Sequence, residues 1–155
     1  MPHDVGKTKI PSEILNREGS PDEHEFEVMN MYTIHGKKLL IGQPNIPAAA
    51  VDIASSHHER MDGSGYPVGL NASQIPYLVR IVAIADAYDA MTSGRVYCEA
   101  KPAAEALKLL LDAKDTHFDA SLLDKFIESI GVYPIGSVAE LNSGEAGIVL
   151  PTDIN

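Results

Sequence analysis

The chain has 155 residues, 45% apolar and 22% charged, a composition that fits one soluble domain with a true core and excludes two of ordinary size. A net charge of −10 argues against a non-specific nucleic-acid binder, and an anionic substrate would have to be met by metal ions and a few local cations. The lone Cys98 excludes an internal disulfide and fits a reducing cytoplasm, while no apolar run reaches the ~18 residues of a membrane span and no signal peptide opens the chain.

The sequence begins with Met1-Pro2-His3-Asp4-Val5-Gly6-Lys7. An adjacent His-Asp pair can give an imidazole and a carboxylate to one metal, or to two that share the carboxylate. Lys7, one turn beyond Asp4, is placed to put an ammonium over a bound phosphate. The same residues also read as a frayed polar terminus. A helix start follows, with Ser20 as N-cap, Pro21 at the first helical position and Glu23 completing a capping box. Met29, Tyr32, Gly36 and Leu40 then recur on one helical face, with Tyr32 in its middle and His35 at its edge. Gly42 to Pro47 reads as a loop.

Residues 46–59 predict a second helix that delivers His57-His58-Glu59 into a glycine loop containing Gly63, Gly65, Tyr66 and Pro67. Neutral imidazoles are the commonest protein ligands for transition metals, and glycines let a backbone approach a ligand closely. Histidine pairs also occur on wet helix ends, so the pair alone leaves both readings open. Pro76 opens a third helix over Tyr77 to Thr92, almost wholly apolar around Asp86. A carboxylate inside a buried helix is costly unless paired or metal-bound, so Asp86 is a candidate ligand. Asp89 reads either as a residue supporting such a ligand or as an exposed turn residue. Arg95, in the loop after this helix, suits a bidentate phosphate contact or a surface ion pair. Pro102 to Lys114 and Ala120 to Ile130 predict scaffold helices, the second capped by Asp119. Val138 to Leu141 and Ala146 to Leu150 predict a β-hairpin. His24 and His117 read as solvent-facing or capping residues.

Taken together, His3-Asp4, His57-His58, Asp62-Gly63-x-Gly65-Tyr66-Pro67 and Asp86 make the chain resemble an HD-GYP domain. That family is the branch of the HD superfamily whose known members hydrolyse cyclic di-GMP and related cyclic dinucleotides. The likeness also takes in Arg80 to Asp86, Arg95-Val96-Tyr97, Thr116 to Asp119 and Tyr133 to Gly136. It implies an all-α, HD-superfamily helical bundle over residues 1–136, with a C-terminal β-hairpin and tail over 137–155. It further implies two or three divalent ions, iron or manganese, held by His3, Asp4, His57, His58 and Asp86. Asp4 would bridge two ions, Lys7 and Arg95 would hold phosphate, and Gly63, Gly65, Tyr66 and Pro67 would border the nucleotide cleft. A metal-bridging hydroxide would then cut cyclic di-GMP to linear pGpG and on to GMP, with Asp4 and Lys7 in the catalytic group.

Three departures qualify this. Only Met1 and Pro2 precede His3, so the domain is expected to lack the family's first helices, with His3 and Asp4 at a frayed end and self-association as one way to cover the gap. Tyr32 stands where the family has a ligand histidine, and His35, the nearest imidazole, points ~60° away from it. Cys98 stands where relatives often carry a basic residue. Two functions therefore remain open: a metal-dependent cyclic di-GMP phosphodiesterase, and a degenerate module that binds nucleotide or a partner such as a diguanylate cyclase domain.

Overall fold

A computed structural model describes residues 2–17, 19–93, 100–131, 135–136, 138–140 and 143–150. It is helical throughout apart from one short hairpin, as the resemblance implies. A 3-10 helix, Pro2–Lys9, comes first, followed by α1 (Ser12–Leu15), α2 (Glu23–Asn30), α3 (Tyr32–Leu40), α4 (Ala48–Ser56), α5 (Tyr77–Thr92), α6 (Ala103–Asp112) and α7 (Ala120–Ile130). Strands β1 (Val138–Glu140) and β2 (Ala146–Ile148) pair antiparallel, Val138 opposite Ile148.

The helix boundaries follow local chemistry. The first cap lies two residues later than Ser20 and Glu23 predict. Asp22 accepts the Glu25 backbone N–H at 2.9 Å, and Glu25 accepts the Asp22 N–H at 3.0 Å, a complete capping box. The predicted continuous helix is interrupted at Met31, whose N–H bonds Val28, three residues back, in a locally tighter turn. Beyond the break, Tyr32, Gly36 and Leu40 are buried, as their spacing predicts. Pro47 caps α4 from outside rather than opening it, and the helix stops at Ser56, so His57 and His58 sit on the turn beyond it. For α5 and α7 the predicted spans hold, and Asp119 caps α7 through the backbone N–H groups of Ser121 and Leu122.

Two packing centres result. Ile84, Leu107, Leu110, Leu122 and Leu123 form a core where α5, α6 and α7 meet, each contributing about 1.5–3 kcal/mol of burial. The other centre joins the 3-10 helix, α3 and α4. The predicted frayed end is not what is found there. Gly6 lies so close to α3 that a Cβ on it would stand 1.8 Å from the Tyr32 carbonyl oxygen and 2.5 Å from the Gly36 nitrogen. Only glycine permits that approach, and it fixes His3 and Asp4 against the turn carrying His57.

Candidate metal centre

Three elements converge here. The 3-10 helix brings His3 and Asp4, the turn after α4 brings His57 and His58, and the middle of α5 brings Asp86. His3, His57 and Asp86 each offer a donor atom, all within 4.8 Å of one another. His3 Nε2 is 3.2 Å from Asp86 Oδ1 and 3.8 Å from Asp4 Oδ2. His35 is not in this group. Asp89 is exposed and accepts a hydrogen bond from the Ser93 hydroxyl, but it sits in the last turns of α5 rather than in a loop turn.

The donors suit a cation. Among the described residues, His3 Nδ1 and Asp4 Oδ1 are buried without a hydrogen-bond partner, a costly state that a bound ion would relieve. Burial disfavours the charged imidazoles, lowering the pKa of His57 and pushing that of His58 down to about 4, with each further opposed by a neighbouring histidine. Both therefore present neutral rings at neutral pH, the form that binds metal. Burial works against the Asp4 carboxylate, but the hydrogen bond and charge of Lys7, 2.7 Å away, outweigh it and hold the carboxyl below its usual range. His57 Nδ1 donates to the Ile53 carbonyl at 2.8 Å, which leaves Nε2 as its acceptor facing the centre.

Tyr32 enters the same space. Its hydroxyl lies 2.8 Å from His57 Nε2 and 2.5 Å from His58 Nε2. Since His57 Nε2 accepts, the phenol donates to it and the His58 Nε2–H donates to the phenol oxygen. Burial raises the Tyr32 pKa far above the ordinary phenol value, and nearby Asp4 and Asp86 reinforce this, so the side chain stays a neutral phenol. Lys7 Nζ sits 5.0 Å above the Tyr32 ring centroid.

The glycine loop forms one wall. The Tyr66 ring stacks on His58 at 4.8 Å and 21°, and the Tyr66 N–H donates to the His58 carbonyl. A Cβ on Gly65 would fall within 2.5 Å of Arg60 N, Glu59 Cα and His58 O, so the loop folds back on the histidine turn only with glycine there. Gly63 and the cis-linked Tyr66–Pro67 complete the loop. Arg95, like Cys98, lies outside the described residues.

Two features have no separate sequence signal. Glu59, 3% exposed, accepts the backbone N–H groups of Val68 and Leu70 with its two oxygens, each at 2.8 Å. This clamps the chain beyond Pro67 to the histidine turn. His117 and Arg60 line, with His57, His58 and Asp86, a cavity of about 190 Å³ floored by Ala83, Ala87 and Ala90. His117 is thus not simply solvent-facing, since its carbonyl accepts the Met61 N–H and the residue borders this cavity.

Residues 1–122 match the family model described as HD domain. The chain is 39% identical over 148 residues to a cyclic di-GMP phosphodiesterase of Pseudomonas aeruginosa, covering 96% of this chain and 36% of that protein. It is 36% identical over 127 residues to a 3'3'-cGAMP-specific phosphodiesterase of Vibrio cholerae, covering 81% of this chain and 24% of that one. The chain thus spans about a quarter to a third of the length of these curated relatives. Among solved structures, Bd1817, an HDG"Y"P protein from Bdellovibrio bacteriovorus, superposes with a TM-score of 0.61 at 23% identity, over 81% of this chain and 40% of that one.

Proposed function

The chain belongs to the HD domain family, in its HD-GYP branch, and from this and the site we propose that it is a metal-dependent phosphodiesterase of cyclic dinucleotides, with cyclic di-GMP as substrate. The observation that carries the proposal is the convergence of His3, His57 and Asp86 beside a buried, unpartnered Asp4 oxygen. Iron or manganese fits a donor set of imidazoles and carboxylates. When bound, such an ion supplies a water of lowered pKa and positive charge for the phosphoryl oxygens.

The chain's own residues do the rest. His57 is oriented by Ile53, His3 is held by the packing of the 3-10 helix on α3 and α4, and Asp86 by the packing of α5 on α4. Lys7 can turn its ammonium from Asp4 to a substrate phosphate, and Arg95 is proposed to join it. Local cations matter because the net charge of −10 repels an anionic substrate at long range. Gly63, Gly65, Tyr66 and Pro67 border the cleft, with Tyr66 offering an aromatic face to a base. Attack on phosphorus would expel the 3′-oxygen and give linear pGpG, then GMP. We place the chain in the cytoplasm, consistent with the absence from the described residues of any helix long and apolar enough to cross a membrane. The helical core over 1–136 and the hairpin segment over 137–155 are proposed as its two parts.

Tyr32, by engaging both imidazoles, favours a second reading: a module that binds the dinucleotide, or a diguanylate cyclase-type partner, without turnover. Metal-stripped protein incubated with cyclic di-GMP and with 3'3'-cGAMP separates the two. The enzyme reading predicts a linear dinucleotide only after Mn²⁺ or Fe²⁺ is restored. Dinucleotide binding with no product at any added ion would contradict it and leave the binding module.

A further inference from the structure

Donor atoms of His3, His57 and Asp86 gather within 4.8 Å, with Asp4 Oδ1 buried and, among the described residues, unpartnered nearby. The Tyr32 oxygen enters the same space, 2.8 Å from His57 Nε2 and 2.5 Å from His58 Nε2, with Asp4 also beside it. A metal–imidazole bond is ~2.0–2.1 Å long, so an ion shared by these two nitrogens would need the volume the oxygen already fills. Tyr32 is not free to leave, being 3% exposed at the start of α3 with Gly6 against its carbonyl. Its ring meets both imidazoles edge-on, with centroids 5.7 and 5.9 Å away. An ion on His57 Nε2 takes the lone pair that the phenol proton now uses; that proton then turns to the neighbouring Asp4 carboxylate, while the oxygen keeps the His58 N–H.

We propose that this centre holds one ion, on His3, His57 and Asp86, and that the Tyr32 hydroxyl fills the second position and keeps His58 out of the coordination. The inference rests on the metal-centre reading above and sets one ion against the two or three that the family resemblance implies.

The test is a Mn²⁺ titration of the metal-stripped full chain, by equilibrium dialysis and electron paramagnetic resonance, beside Tyr32→His. The wild type is expected to bind one Mn²⁺ per chain with an uncoupled spectrum. Tyr32→His, which trades the hydroxyl for an imidazole, is expected to bind twice as much and to show exchange coupling between paired ions. Two coupled ions in the wild type would overturn the inference and leave the metal-centre reading standing. No bound ion would overturn both. A folded Tyr32→His that still binds one ion would overturn the role given to Tyr32. The wild-type count stands by itself if that variant fails to fold.

Discussion

Replacing Glu59 by alanine removes a clamp, not a ligand. Both carboxylate oxygens accept backbone N–H groups, of Val68 and Leu70, and Glu59 is not among the donors that gather with His3, His57 and Asp86. Stranding a buried donor costs about 1–3 kcal/mol. Val68 carries a 73% exposed side chain, so water reaches its N–H more readily and its share falls at the low end. Together the loss comes to about 2–4 kcal/mol, or a fall of roughly 5–15 °C in Tm for a chain of this size. Glu59→Gln keeps one acceptor but turns an amide N–H₂ toward the other donor, so its Tm should lie between wild type and alanine. The stack of Tyr66 on His58 should loosen too, read as reduced near-ultraviolet circular dichroism, while Mn²⁺ per chain stays at the wild-type value. A Tm within about 2 °C of wild type for Glu59→Ala would refute the clamp, as would loss of the ion from a folded Glu59→Gln.

Other substitutions and pH probe the remaining supports. Gly6→Ala forces a Cβ into the Tyr32 carbonyl, so a loss of about 1–3 kcal/mol or more is expected together with weaker Mn²⁺ binding, because the 3-10 helix carrying His3 must shift. Arg80 donates to Ile75 O, Ala72 O and Asp119 Oδ2, joining the loop before α5 to the cap of α7. Arg80→Ala should therefore cost about 2–4 kcal/mol in chemical denaturation without changing ion stoichiometry. For the metal-free chain, His58 accepts a proton near its ordinary 6.5 when unfolded but only near about 4 when folded. Between those values the unfolded state binds more protons, so stability should fall as pH drops through this window. Calorimetry from pH 7 to 4 checks this, and a flat Tm would contradict it.

Much of the fold was legible because its signals are local. The span of α5 followed from Pro76 and its nearly all-apolar interior, that of α7 from its amphipathic pattern and the Asp119 cap, and the hairpin from its turn residues. The first cap was misplaced because Ser20-x-x-Glu23 and Asp22-x-x-Glu25 satisfy the same spacing, and only the built hydrogen bonds choose Asp22. The break at Met31 leaves no mark in the apolar stripe. At the centre, His3, His57 and Asp86 were identifiable by residue type, and the family likeness grouped them. That Tyr32 would reach both histidine nitrogens was not legible, since it depends on how α3 packs against α4, across some 25 residues of sequence. Glu59 and His117 were passed over for the same reason, their partners lying about ten or more residues away in sequence.

The most direct test of the account is the anomalous scattering of a crystal soaked in Mn²⁺. One peak within bonding distance of His3, His57 and Asp86, with Tyr32 still between His57 and His58, is the predicted result. No peak at those three side chains in a Mn²⁺-saturated crystal would contradict the metal centre, and with it the phosphodiesterase proposed here.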